Sequence, residues 1–204
     1  MKKLFLASSF SSVASLLSEF AGESLTGKKV AFIPTAGLLD DNTFYIDEDR
    51  NALRSLGLNV EDLEITSLPY DEIKEQLSNT DYIFVCGGNT FFLLQELRRK
   101  GVDKLILEHI NKGKLYISTS AGSLIMQNDI IADNTDRAGM APDLNGDFSA
   151  LAVIDFYMYV HYGHNYWGDD DESIKLYYNK PELIKINDKQ VVTVDGEKAS
   201  ILTA

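Results

Sequence analysis

Five short, largely apolar runs, Leu4–Ala7, Lys29–Ile33, Leu58–Leu63, Tyr82–Val85 and Leu115–Ile117, alternate with stretches whose apolar residues recur at helical spacing. That rhythm leaves few architectures open. A helix after each strand carries the chain back across the sheet, so the next strand runs the same way and the sheet is mainly parallel. The helical stretches carry their own signals. Val13, Leu16, Leu17 and Phe20 form one stripe, and Asp41-Asn42-Thr43 offers a cap for a helix that reaches Leu56 and stops at Gly57. Tyr70–Leu77 follows Pro69, Phe92, Leu93 and Leu97 mark a longer helix, and Val102–Asn111 another. Tyr82–Val85 is apolar at nearly every position, as a strand covered on both faces requires. The expected fold is a three-layer α/β/α sandwich with a mainly parallel sheet, as a single domain over residues 1–204.

The last third reads differently. Thr135–Ser149 is rich in Asp, Asn and Gly and is expected to loop over the sheet edge. Ala152–Val160 reads as a strand and Asp169–Tyr178 as a helix. Leu183–Ile186, Val191–Val194 and Ala199–Leu202, joined by turn residues, read as a terminal antiparallel meander.

Charge and cysteine content narrow the classes of function. The chain carries 31 acidic against 19 basic residues, a formal net charge of −12, which would repel a nucleic acid or an anionic membrane. Its one cysteine, Cys86, follows the run Tyr82–Val85 and reads as a buried structural thiol, with no disulfide to form. No run reaches the roughly 18 apolar residues of a membrane span, and the apolar stretch near the N-terminus is too short for a secretory signal. A cytoplasmic protein, a monomer or small homo-oligomer, is expected.

Ser120 lies in Tyr116-Ile117-Ser118-Thr119-Ser120-Ala121-Gly122-Ser123-Leu124-Ile125. A strand breaks there at small residues and gives way to a helical pattern, the strand–nucleophile–helix elbow of serine hydrolases. Ser118 stands where the first glycine of Gly-x-Ser-x-Gly is usual; the plain alternative is a serine-rich βα loop. Such an elbow needs a base. His109 near a helix C-terminus is explained by the macrodipole. His161 and His164, after a predicted strand, could each reach the crevice at the carboxyl ends of the strands, where Ser120 and Gly87-Gly88 also lie. It also needs N–H donors for an oxyanion, and Ala121 with the Gly87-Gly88-Asn89-Thr90 loop can supply them. Asp169-Asp170-Asp171-Glu172 reads as the first turn of a helix, not a metal site, and with no phosphate-binding fingerprint the chain is expected to use no metal and no cofactor.

Gly87-Gly88-Asn89-Thr90-Phe91, Ser120-Ala121-Gly122 and His161, in this order and together with Leu4–Ser9, resemble the aspartyl dipeptidase (peptidase E) family of serine peptidases, distant relatives of the cyanophycinases. The resemblance implies a class I glutamine amidotransferase-like (flavodoxin-like) fold with serine at the elbow. It also implies a peptidase acting on short peptides through an acyl-enzyme, as a dipeptidase or aminopeptidase-like exopeptidase. Ser120 would be the nucleophile, His161 the general base, and the N–H groups of Gly88 and Ala121 the oxyanion hole. Asp188 would stand in the acidic position, where a Glu is more usual, with Asp136 as rival; Asn89, Thr90 and Trp167 would touch substrate. The family's arginine-bearing segment after the histidine is replaced here by Trp167-Gly168-Asp169-Asp170-Asp171-Glu172. A neutral or cationic N-terminal residue is therefore expected in place of aspartate. The alternatives are a non-catalytic ligand-binding domain on the same scaffold and an esterase or amidase.

Overall fold

A computed structural model describes residues 1–132, 135–164, 177, 180 and 182–204. Its seven-stranded sheet has the order β3-β2-β4-β5-β1-β8-β9. The five strands expected from the alternating pattern, β1 (Lys3–Ala7), β2 (Lys29–Ile33), β3 (Asn59–Asp62), β4 (Tyr82–Val85) and β5 (Tyr116–Thr119), all run parallel. β8 (Gln190–Asp195) pairs antiparallel with β1 and turns into β9 (Lys198–Thr203).

Alternation along the strands divides the core into two halves. Leu4, Leu6, Ile33, Ile83 and Val85 face α4 (Tyr70–Ser78), α5 (Thr90–Lys100) and α6 (Val102–Asn111) through Ile73, Leu97 and Ile106. Phe5, Phe32, Phe84 and Ile117 face the other way, toward α1 (Phe10–Val13), α2 (Leu17–Ala21) and α3 (Phe44–Ser55) through Phe10, Leu17 and Leu53. Helices thus cover both faces. Phe84 stacks on Phe32 with centroids 5.1 Å apart and takes the edge of Phe10 at 4.9 Å. Truncating such a ring to alanine costs about 3–5 kcal/mol. Cys86 is buried at the end of β4, and burial pushes its thiol pKa well up.

Two expectations for the last third are corrected. Within Ala152–Val160 only β6 (Tyr157–Tyr159) is a strand. The N–H groups of Leu151, Ala152 and Val153 instead donate to the carbonyls of Ile125, Gln127 and Met126, at 2.9, 2.8 and 2.9 Å. They satisfy acceptors that the end of α7 (Ala121–Leu124) leaves open. The meander is also only partly realised: β8 and β9 form the antiparallel hairpin, but β7 (Leu183–Lys185) leaves it to pair in parallel with β6. The region expected to loop, Thr135–Ser149, contains two 3₁₀ turns, Thr135–Met140 and Pro142–Leu144. The helix expected over Asp169–Tyr178 lies outside the described residues except at Tyr177. No described helix is long and apolar enough to cross a membrane.

Candidate active site

Three neighbouring strands end at one place. β1 delivers Ser8, β4 delivers Gly87-Gly88 and β5 delivers Ser120, and all of these line one cavity of about 650 Å³. Ser120 sits at the apex of the turn from β5 into α7 with φ 48° and ψ −112°. A non-glycine residue is held there only when its surroundings impose it. The Ser120 N–H donates to the Ala7 carbonyl at 3.0 Å, and its own carbonyl accepts from the N–H groups of Ser123 and Leu124.

The small residues around it have specific causes. A Cβ on Gly122 would lie 2.3 Å from the Val85 carbonyl oxygen, so a side chain there would push the elbow off β4. Gly87 faces the Ser120 Cβ, where an added Cβ would approach to 3.1 Å. Ser118, in the place of the usual first glycine, is buried and settled by a 2.9 Å contact with the hydroxyl of Ser123, which donates to the Ala7 carbonyl. The departure from the motif is thereby satisfied inside the fold. α7 has only four residues, so the N–H groups at its start matter more than any helix dipole.

His161 and Asp188 arrive by a route the meander would not have provided. β6 and β7 run in parallel with Tyr159 opposite Lys185, so both chains leave the same end of the ribbon side by side. Ile186 N–H donates to Tyr159 O at 2.9 Å and Tyr162 N–H to Ile186 O at 3.0 Å, which carries the pairing past the strands. His161 follows on one chain and Asp188 on the other. Nε2 of His161 lies 3.0 Å from Ser120 Oγ, and its Nδ1 lies 2.6 Å from Asp188 Oδ1.

Burial alone would raise the Asp188 pKa, but hydrogen bonding and attraction from His161, with the Ser8 hydroxyl, outweigh it and hold the carboxyl below its usual value. An anion beside Nδ1 keeps the proton on that nitrogen and leaves the Nε2 lone pair to face the serine. His164, the other candidate base, has its Nε2 3.0 Å from Asp188 Oδ2, on the carboxylate's second oxygen. His109 is buried, its Nε2 3.1 Å from the Leu115 carbonyl, and burial brings its pKa down to about 4. A neutral imidazole gains little from a helix end, so packing, not the macrodipole, accounts for it.

The Gly88 loop is held open by backbone geometry. Gly88 has φ 134°, and a Cβ there would fall 2.2 Å from the Ala36 carbonyl oxygen. Asn89 and Thr90, expected to touch substrate, are instead buried. The Asn89 carboxamide is the N-cap of α5, accepting from Phe92 N–H at 3.1 Å, and its NH₂ points to Arg137 O at 3.4 Å. Trp167 lies outside the described residues, as does the side chain of Asp136.

Arg137 carries no motif in the sequence, yet it lines the cavity, ion-paired with Asp40 and donating to the Gly88 carbonyl at 3.4 Å. Tyr45 donates to the other Asp40 oxygen at 2.7 Å. Asp41, Glu48 and Asp49 line the same cavity, so carboxyl groups outnumber basic ones on its described wall. Among the described residues no cluster of His, Cys, Asp and Glu has a metal-binding arrangement.

The family model for peptidase family S51 matches residues 4–202. The chain belongs to peptidase family S51. It is a serine-type peptidase, hence a hydrolase. Among family relatives, it is 42% identical over 200 residues to the uncharacterized peptidase Lmo0363 of Listeria monocytogenes, covering 97% of both chains. It is 31% identical over 189 residues to a protein named alpha-aspartyl dipeptidase (as probable) of Drosophila melanogaster, covering 88% of this chain and 75% of that one. A crystal structure of a Listeria monocytogenes EGD-e protein assigned as a peptidase E superposes with a TM-score of 0.92 at 39% identity, covering 100% and 99% of the two chains.

Proposed function

We propose that this S51 peptidase hydrolyses short peptides through a Ser120 acyl-enzyme, with His161 as general base and Asp188 as the carboxylate that orients it. The observation that carries this reading is the unbroken line of contacts from Ser120 Oγ to His161 Nε2 at 3.0 Å and from His161 Nδ1 to Asp188 Oδ1 at 2.6 Å. Nε2 takes the hydroxyl proton as Oγ attacks the scissile carbonyl, and Asp188 stabilises the imidazolium. The same proton then passes to the leaving amine. Water, deprotonated in turn by His161, attacks the acyl carbon; the bond to Oγ breaks, the acyl group leaves as a carboxylic acid, and His161 passes the proton back to Ser120 Oγ. The N–H groups of Gly88 and Ala121 are assigned to the oxyanion; they belong to the two loops that flank Ser120. The scaffold is read as class I glutamine amidotransferase-like.

A dipeptidase or other exopeptidase action is supported by the name of the Drosophila relative. Asp41 and Glu48 on the cavity wall, with Arg137 already committed to Asp40, favour a neutral or cationic first residue over aspartate. A fluorophosphonate probe is expected to modify wild type once, at Ser120, and to leave Ser120→Ala unlabelled. A dipeptide panel varied at the first residue then reads the preference. A folded but unreactive wild type would overturn the proposal in favour of a ligand-binding role, and turnover of simple esters without any peptide cleavage would make it an esterase.

A further inference from the structure

Ser8 is fully buried at the carboxyl end of β1, beside β5, since Ala7 pairs with Thr119. Its hydroxyl is the meeting point of three segments distant in sequence. The backbone N–H of His161 donates to Ser8 Oγ at 2.8 Å. An amide N–H can only donate, so this bond uses an oxygen lone pair and leaves the hydroxyl proton for another partner. That partner is Asp188 Oδ1, 2.8 Å away. The same carboxylate oxygen takes Nδ1–H of His161 at 2.6 Å. The hydrogen bonds therefore close a ring, from the His161 main chain through the Ser8 hydroxyl to Asp188 and back to the His161 imidazole.

We infer that Ser8 is a positioning residue for the base: it ties the His161 main chain to Asp188 so that Nδ1 keeps its proton and Nε2 stays aimed at Ser120. This rests on the reading of Ser120, His161 and Asp188 given above. The tie is needed because His161 lies beyond the end of β6 with φ 57°, a left-handed conformation that a side-chain-bearing residue adopts at a cost. No strand ladder holds its N–H, and the Ser8 oxygen does so instead. Removing that oxygen leaves a partly buried N–H without its acceptor and takes one donor from Asp188. The imidazole is then free to tilt or to exchange tautomers, and an Nε2–H facing Ser120 cannot accept the serine proton.

The test compares Ser8→Ala with Ser8→Thr, which keeps the hydroxyl, and Ser8→Cys, which nearly keeps the volume but donates poorly. Fluorophosphonate acylation is followed across pH, peptide KM is measured, and ¹⁵N-histidine NMR reads the His161 tautomer without requiring turnover. Acylation by Ser8→Ala is expected to fall roughly 10- to 100-fold with KM changed by less than about threefold. Its pH profile should shift, and the single Nδ1–H tautomer of wild type should become a mixture. Ser8→Thr should recover most of the rate and the wild-type tautomer. If Ser8→Ala does not fold, Ser8→Cys carries the comparison and should behave as Ser8→Ala would. Wild-type rate, pH profile and tautomer in the folded Ala or Cys variant would overturn the inference. So would equal losses in all three variants with the tautomer intact, which would make Ser8 a packing residue only. Should wild type itself resist the probe, the peptidase reading fails separately, and the tautomer comparison alone decides whether Ser8 sets the geometry of the pair.

Discussion

The nucleophile and its base reach the cavity by two unlike kinds of construction. Ser120 and Gly88 sit in turns directly after β5 and β4, strands buried on both faces, and each is held by backbone contacts with an adjacent strand or turn. His161 and Asp188 come from a small parallel ribbon, β6 and β7, outside the main sheet and only partly buried. Rigid backbone geometry places the first pair, and hydrogen bonds between side chains and loops place the second. The strained group at the sheet is fixed by its own neighbours, whereas the base depends on partners from three other segments.

The comparison is tested most severely at the imidazoles. His161→Ala is expected to slow acylation near neutral pH by roughly 10²- to 10⁴-fold, while His164→Ala, which removes only the outer contact of Asp188, should lower it by less than about tenfold. Labelling rates of the two variants decide this, and the reverse order would transfer the base to His164. Asp188→Asn should also cost two or more orders of magnitude, roughly, since an amide in this place favours the wrong imidazole tautomer.

On the sheet side, Gly88→Ala should lower kcat by roughly 10²-fold or more, because the new Cβ must move the Ala36 carbonyl or the Gly88 N–H away from the nucleophile. If Gly88→Ala acylates normally, the loop is more compliant than its backbone contacts imply.

Stability offers a finer probe. Burial pushes the Asp49 carboxyl up to about 8 from 3.8, against the opposing hydrogen bond from Ser11 N–H and with repulsion from Glu48 adding to the rise. Between these values the folded chain holds a proton that the unfolded chain has released. Stability from this group is therefore complete below about pH 4 and is lost as pH rises toward 8. Asp49→Asn should keep the Ser11 contact and flatten that decline, by on the order of a few kcal/mol at alkaline pH, in thermal melts across pH. The smallest effect is expected at Lys180, whose ammonium lies 2.8 Å from Asp129 Oδ2 and 3.3 Å from the Tyr157 hydroxyl, linking the ribbon to the chain after α7. Lys180→Met should cost about 1–2 kcal/mol, a fall of roughly 2–8 °C in Tm. A drop in kcat larger than that stability loss would show the ribbon's seating to be part of the site.

The unequal legibility of the sequence follows the same division. β4 is Tyr82–Val85, as its apolar run implies, because a strand covered on both faces must be apolar throughout. The elbow is visible for a related reason, since tight backbone approach admits only small residues at Gly87 and Gly122. Pairing partners are harder. Leu183–Lys185 has the composition of a strand, but nothing local says whether it joins Gln190–Asp195 or Tyr157–Tyr159, and the parallel choice depends on contacts across more than twenty residues. The carboxamide of Asn89 caps α5 with the same chemistry that would serve a ligand, so residue type alone does not separate the two roles. Ser8 and Arg137 left no trace as site residues, since a lone serine after a strand and a lone arginine in a loop acquire meaning only through neighbours brought from elsewhere.

The parallel ribbon has a consequence for how this active site can diverge. In a hairpin the connector length sets the register, whereas here the stretch between β6 and β7 must only be long enough to cross over. Length changes beyond Tyr162, where the extended pairing ends, need not shift the point where imidazole and carboxylate meet. The meeting of imidazole and carboxylate is thereby set by which strands pair, and not by the length of chain that joins them.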